Sequence, residues 1–213
     1  MGKIQAILFD LDGTLLDSND LILASFQHVL QSKLKKDIPR EKLIFSFGRP
    51  LLEAMEEIAP GEGELLVNLY REFAQLHHDE MVKLFPEVFS TIEKLHTMGI
   101  KLGIVTSKIR QTALRGLELF KIDGFFDVVV AYEDTTIHKP KPDPMLFALE
   151  KLVVKAENAL MVGDSPHDIV SAKAAGTMTA AVTWSCFPLE VLKATEPTYI
   201  INSMSELIKL VNS

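Results

Sequence analysis

The chain reads as an α/β protein, a doubly wound parallel sheet into which an all-helical domain is inserted. Two observations predict this. Short, nearly unbroken apolar runs, suited to strands buried on both faces, alternate with helical patterns closed by glycines. One long stretch, from Asp17 to about Val82, breaks that alternation with amphipathic helical periodicity and no convincing strand.

Taken in order, the first run is Ile4 to Phe9, interrupted only by Gln5 and stopped by Asp10-Leu-Asp-Gly13. Similar runs recur at Ile100 to Val105, Val128 to Ala131, Ala159 to Val162 and Met178 to Val182, with a weaker one at Tyr199 to Ile201. Helical patterns lie between them: Glu87 to Met98 closed by Gly99, Ile109 to Phe120, Pro144 to Val153, and Pro166 to Ala175 closed by Gly176. Alternation of this kind implies right-handed crossovers and helices on both sheet faces. A last helix starts at Ser203, with Glu206 completing a capping box. Within the insert the expected helices are Ser18 to Lys33, Arg40 to Phe45, Pro50 to Ile58 and Glu62 to Met81. Pro39, the turn Gly48-Arg49-Pro50 and the turn Pro60-Gly61 separate them. The expected division is therefore a core of residues 1–16 and 83–213 and a helical cap of residues 17–82. The basic cluster Lys33 to Lys36 reads as a solvated helix end, where cations suit the dipole.

Composition narrows the function. The 213 residues are 47% hydrophobic and 24% charged, which excludes disorder and fibrous repeats, and the length supports a substantial core. The single cysteine, Cys186, allows no intramolecular disulfide, so a cytoplasmic protein is expected. The segment Met1 to Asp10 is too short and wrongly flanked for a signal peptide or a membrane span. A net charge of −7 speaks against a general binder of nucleic acid or anionic membrane, and a monomer or small homo-oligomer is expected.

Ligand sites in open α/β sheets lie beyond the carboxyl ends of the strands, so the polar residues just after each run are the ones to collect. Asp10 and Asp12 follow the first run, Thr106 and Ser107 the second, Lys139 sits in the loop after the third, and Asp164, Ser165 and Asp168 follow the fourth. Four carboxylates converging on one edge repel one another unless a cation neutralises them. With oxygen ligands only, Mg²⁺ is the natural occupant.

Asp10-Leu-Asp-Gly-Thr14, Thr106, Lys139 in Lys139-Pro-Lys-Pro142, and Gly163-Asp164 followed by Asp168 together resemble the four motifs of the haloacid dehalogenase-like hydrolases. The resemblance spans nearly the whole chain, and the insert resembles that family's helical cap. Asp17-Ser18 and Phe47-Gly48 with Pro50-Leu51 are similar to the phosphoglycolate phosphatase and bacterial pyrophosphatase branches. It implies a Mg²⁺-dependent phosphatase acting on a small phosphorylated substrate, phosphoglycolate or pyrophosphate, through an aspartyl-phosphate.

Phosphoryl transfer requires an in-line nucleophile and compensation for charge on the phosphoryl oxygens, here from the metal and Lys139, with Thr106 and Ser107 completing the cradle. Either Asp10 or Asp12 could attack on the residues alone. The resemblance makes Asp10 the nucleophile and leaves Asp12 to protonate the leaving oxygen and activate water. It also implies that Asp10, the Asp12 backbone carbonyl and Asp164 hold Mg²⁺ while Asp168 orients its waters. Gly48 and Arg49 are the cap candidates for specificity, a guanidinium there being able to clamp a second anionic group.

Plainer readings compete residue by residue. Asp12-Gly13 could be a turn, Thr106 a helix N-cap, and Ser165-Pro166 an N-cap followed by a proline at N1. Lys141 rivals Lys139. His77-His78 has no partner at metal-ligand spacing and reads as surface, and Gly61-Glu-Gly63 lacks the third glycine of a dinucleotide loop. A phospho-accepting receiver module would share the acidic cluster but place its aspartate after the third strand, where this chain has Ala131-Tyr132-Glu133. A dehalogenase would have no need of Asp12 and Asp164. A sugar-phosphate mutase shares the core and differs only in its cap.

Overall fold

The computed structural model describes residues 3–35 and 38–212. Met1, Gly2, Asp37, Ser213 and Lys36 of the basic cluster therefore lie outside the described residues. Six parallel strands form the main sheet in the order β5-β4-β1-β6-β7-β8. They are β1 (Ala6–Phe9), β4 (Lys101–Val105), β5 (Val128–Val130), β6 (Ala159–Gly163), β7 (Met178–Val182) and β8 (Tyr199–Ile201). The chain winds outward from β1 in both directions, so the crevice for a ligand lies at the carboxyl ends of β1, β4 and β6.

Alternation within β1 shows why a continuous apolar run is needed. Ile7 and Phe9 point to one face, where they join Val88, Ile92 and Leu95 of α5 (Val88–Thr97), Ala113 and Leu117 of α6 (Arg110–Leu119), and Leu207 of α10 (Glu206–Val211). Ala6 and Leu8 point to the other, against Met145, Ala148 and Leu149 of α7 (Asp143–Leu152) and Ala172 of α8 (Pro166–Ala175). Every second residue meets a different helical layer, and neither face can be polar.

Among the described residues, four α-helices of the cap lie between the strands of a second, two-stranded antiparallel ribbon, β2 (Leu16–Asp17) and β3 (Lys83–Leu84). They are α1 (Asn19–Val29), α2 (Arg40–Leu43), α3 (Leu51–Ile58) and α4 (Gly63–Met81), with α1 and α3 packed on α4. This ribbon flanks the helical insert, whose described elements between Asn19 and Met81 are all helices, and it is an element that the sequence reading did not contain. Two residues per strand leave no period to detect, and the pairing depends on chain ends brought together by the cap. The first predicted helix continues past Val29 as a π-helix over Leu30–Leu34, and the second ends in a 3₁₀ turn over Ile44–Ser46. The capping box expected at Ser203 is half made. Glu206 accepts from the Ser203 amide at 3.2 Å, but the helix begins at Glu206 and the Ser203 hydroxyl pairs with Ser205 instead.

The cap is not packed on itself alone. Leu23, Phe26, Met55 and Leu66 belong to one apolar cluster with Ile169, Ala181, Phe187 and Leu192 of the core, the last on the short helix α9 (Leu189–Lys193). No helix among the described residues is long and apolar enough to cross a membrane.

Candidate active site

The loop after β1 turns back on itself at Gly13, whose φ of +77° lies in the left-handed region and whose amide bonds the Leu16 carbonyl at 2.8 Å. A Cβ there would collide with the Asp164 carboxylate. Glycine thus lets the first loop approach the fourth, and Asp10 comes to lie beside Asp164.

Around Asp10 the polar groups are buried. Lys139, 4% exposed, places Nζ 2.8 Å from Asp10 Oδ1, 2.7 Å from Asp168 Oδ1 and 3.1 Å from the Val105 carbonyl, so all three ammonium donors are used. Lys141, its rival, is exposed. Asp10, Asp164 and Asp168 each offer a carboxylate oxygen within 4.8 Å of the others. Burial lifts the Asp10 carboxyl to about 7, Lys139 pulling it down and Asp168 adding to the rise. Burial, then the charges of Asp168 and Asp10, also lifts Asp164. For Lys139 burial acts downward, but Asp10 and Asp168 outweigh it and raise the net value. An all-oxygen set of buried carboxylates that push one another toward neutrality suits a hard divalent cation.

Asp168 does more than face this cluster. Its other oxygen accepts from the Ser165 amide at 3.0 Å and the Ser165 hydroxyl at 2.7 Å, forming the capping box of α8, with Pro166 at its first position. Asp12 stands outside the group of three. Its Oδ1 accepts from Ser18 Oγ and, at 2.7 Å, from Lys108 Nζ. Thr106 is buried and bonds β5 through its amide. It is not an N-cap: Ile109 occupies that position in α6, and Thr106 Oγ1 accepts from the Lys108 amide at 3.2 Å.

Above these groups the cap encloses a cavity of about 440 Å³ whose walls include Asp10, Asp12, Thr106, Ser107 and Asp164 from the core and Gly48 and Arg49 from the cap. Ser107 Oγ donates to the Gly48 carbonyl at 2.8 Å, so its hydroxyl is engaged with the cap turn. Arg49 Nη1 is held 2.8 Å from Glu57, on the same cap.

Two groups escaped the sequence reading. Lys108 sits two residues beyond Thr106, just past the strand-end positions collected first. His78, expected at the surface, is 3% exposed. The spacing Leu66, Tyr70, Ala74, His78 places it on one face of α4, a signal that was present. Its Nδ1 pairs with Asp79 at 2.7 Å while Nε2 is buried without a partner, packed towards Gly116 of α6. Asp79 is in turn held by Arg115 Nε at 2.9 Å.

Comparison with known proteins agrees with this geometry. The profile described as haloacid dehalogenase-like hydrolase matches residues 7–182. A putative pyrophosphatase, PpaX, of Caldanaerobacter subterraneus subsp. tengcongensis is 45% identical over 209 residues, covering 98% of this chain and 95% of that protein. The pyrophosphatase PpaX of Bacillus mycoides is 42% identical over 210 residues, 99% of this chain and 98% of its own. Among solved structures, a putative phosphoglycolate phosphatase from Lactobacillus plantarum superimposes with a TM-score of 0.90 at 29% identity, covering 98% of this chain and all of that one, 100%. The buried lysine and carboxylates, the cap inserted after the first strand and these likenesses agree, and the chain belongs to the haloacid dehalogenase-like hydrolase family.

Proposed function

We propose that this haloacid dehalogenase-like phosphohydrolase cleaves inorganic pyrophosphate in the cavity between cap and core, by way of an aspartyl-phosphate on Asp10. The observation that carries the reading is the ammonium of Lys139 bridging Asp10 and Asp168 beside Asp164, all four side chains buried beneath a cap. Pyrophosphate is preferred to phosphoglycolate because the relatives named for it are 42% and 45% identical over nearly the whole chain. The structural neighbour named for phosphoglycolate is 29% identical.

Asp10 attacks the nearer phosphorus, and the bond to the bridging oxygen breaks. Lys139 is placed to hold charge on both the nucleophile and the phosphoryl oxygens, with Thr106 completing the cradle. Water then adds to phosphorus, giving its proton to Asp12, and the bond to Asp10 breaks to release orthophosphate. Asp10, the Asp12 carbonyl and Asp164 would hold Mg²⁺, with Asp168 behind them, and the ion would supply charge neutralisation and alignment of the phosphoryl group. Ser107 and Gly48 seat the cap, and Arg49 presents a cation in the cavity wall.

The test is phosphate release from a panel of pyrophosphate, phosphoglycolate, hexose phosphates, nucleotides and p-nitrophenyl phosphate, with Mg²⁺ and with EDTA. Pyrophosphate is expected to show the highest kcat/KM, abolished by EDTA. A higher value on any ester, isomerisation of a hexose phosphate without phosphate release, or full turnover in EDTA overturns the reading.

A further inference from the structure

Lys108 is the cavity cation nearest to the group assigned to the leaving oxygen. Its Nζ lies 2.7 Å from Asp12 Oδ1, its side chain is 21% exposed, and it forms part of the cavity wall. Ser18 donates to the same carboxylate oxygen. Unlike Lys139, whose three donors are all engaged, Lys108 Nζ spends one donor on Asp12, which leaves the ammonium able to take further oxygen acceptors from the cavity. Of the other cations of the wall, Arg49 is paired with Glu57, Arg115 is held by Asp79 and the Gln75 carbonyl, and Arg71 is an exposed residue of the cap helix α4, whereas Lys108 is the one joined to Asp12 among the described residues.

We propose that Lys108 is a catalytic residue that binds the leaving phosphate of a phosphoanhydride and thereby selects anhydrides over alkyl phosphate esters. The inference rests on the pyrophosphate reading and deepens it. When Asp10 attacks, the electron pair of the broken bond passes to the bridging oxygen. A singly protonated diphosphate then departs as HPO₄²⁻, with the phosphoryl group left on Asp10. That departing oxygen is weakly basic, and its neighbours on the same phosphorus are anionic, so a fixed ammonium beside Asp12 can carry the developing charge without transferring a proton. An alkyl ester offers nothing comparable. Its alkoxide requires a proton outright, and the carboxylate of phosphoglycolate is set further from the bridging oxygen than the oxygens of a second phosphoryl group. A lysine that merely positioned Asp12 would serve every substrate alike, and that is the distinction to measure.

The experiment compares wild type, Lys108→Ala and Lys108→Arg on pyrophosphate and on two alkyl esters, phosphoglycolate and glycerol phosphate. Calorimetric titrations with methylenediphosphonate and with inorganic phosphate accompany it, and thermal melting checks the fold. Lys108→Ala is expected to lower kcat/KM on pyrophosphate on the order of a hundredfold, and at least about tenfold more than on either ester. Lys108→Arg is expected to recover much of the loss. Methylenediphosphonate affinity is expected to fall by about tenfold more than that of inorganic phosphate. Equal losses on all three substrates, or equal losses of affinity for both titrants, would overturn the assignment and leave Lys108 a positioning residue for Asp12. If wild type prefers an ester, the pyrophosphate reading fails on its own evidence, and the two titrations still decide what Lys108 binds.

Discussion

Ser107 Oγ and the Gly48 carbonyl are joined by a 2.8 Å hydrogen bond that ties the core loop after β4 to the turn between two cap helices. Gly48 holds a φ of +74°, and a Cβ there would stand 2.9 Å from Ser165 Oγ, so the turn seats on two core loops at once. The contact is made by the backbone carbonyl of Gly48. Such a contact is sensitive to single atoms.

Gly48→Ala is accordingly expected to lower kcat/KM by about tenfold through impaired closure, and Ser107→Ala by a few-fold. Because both act on one contact, the double variant should lose no more than Gly48→Ala alone. Steady-state kinetics on the three proteins checks this. Multiplying losses would show that Ser107 works separately, on the phosphoryl group.

The roles of Asp10 and Asp12 separate cleanly in a covalent mechanism. Asp10→Asn should remove turnover, and Asp12→Asn should fold normally yet lose on the order of a hundredfold or more. Acid quenching during turnover followed by peptide mass analysis should find phosphate on Asp10. Phosphate on Asp12 would reverse the assignment.

Lys139→Ala strips the cation from two buried carboxylates, whereas Lys141 projects into solvent. The first substitution should cost at least about a hundredfold in activity and on the order of 3 kcal/mol in stability measured without added metal. The second should change either quantity little. Denaturant titration and kinetics give both numbers, and a larger effect at Lys141 would exchange the two lysines.

His78 supplies a pH dependence. Burial lowers its pKa from 6.5, opposed by Asp79, with the charges of Lys108 and Arg115 adding to the lowering. A folded state that disfavours the imidazolium binds fewer protons than the unfolded chain. The stability it contributes is therefore present above the unfolded pKa and lost as pH falls from about 6.5 through the folded value. Wild type should thus lose more melting temperature than His78→Gln between about pH 7 and pH 5. Parallel curves would mean that His78 is solvated in the folded protein.

The parallel sheet, its helical layers and the strand-end residues Asp10, Thr106 and Asp164 were legible in the sequence because they obey local rules, while Lys139 and Asp168 were legible through their motifs. A strand buried on both faces must be apolar throughout, and residues at its carboxyl end must face the crevice. Pro166–Ala175 and Met178–Val182 match their predicted bounds for that reason, with Gly176 in the left-handed conformation that stops the helix. The ribbon of Leu16–Asp17 with Lys83–Leu84 obeys no local rule, since each strand exists only where the other returns. The tertiary structure likewise decided that Lys108 meets Asp12 and that Arg49 is shared with Glu57. It also engaged the Ser107 hydroxyl with the cap. Residue type and spacing settle which groups stand at a strand end. Which of them a given side chain touches depends on how an inserted domain comes down upon it.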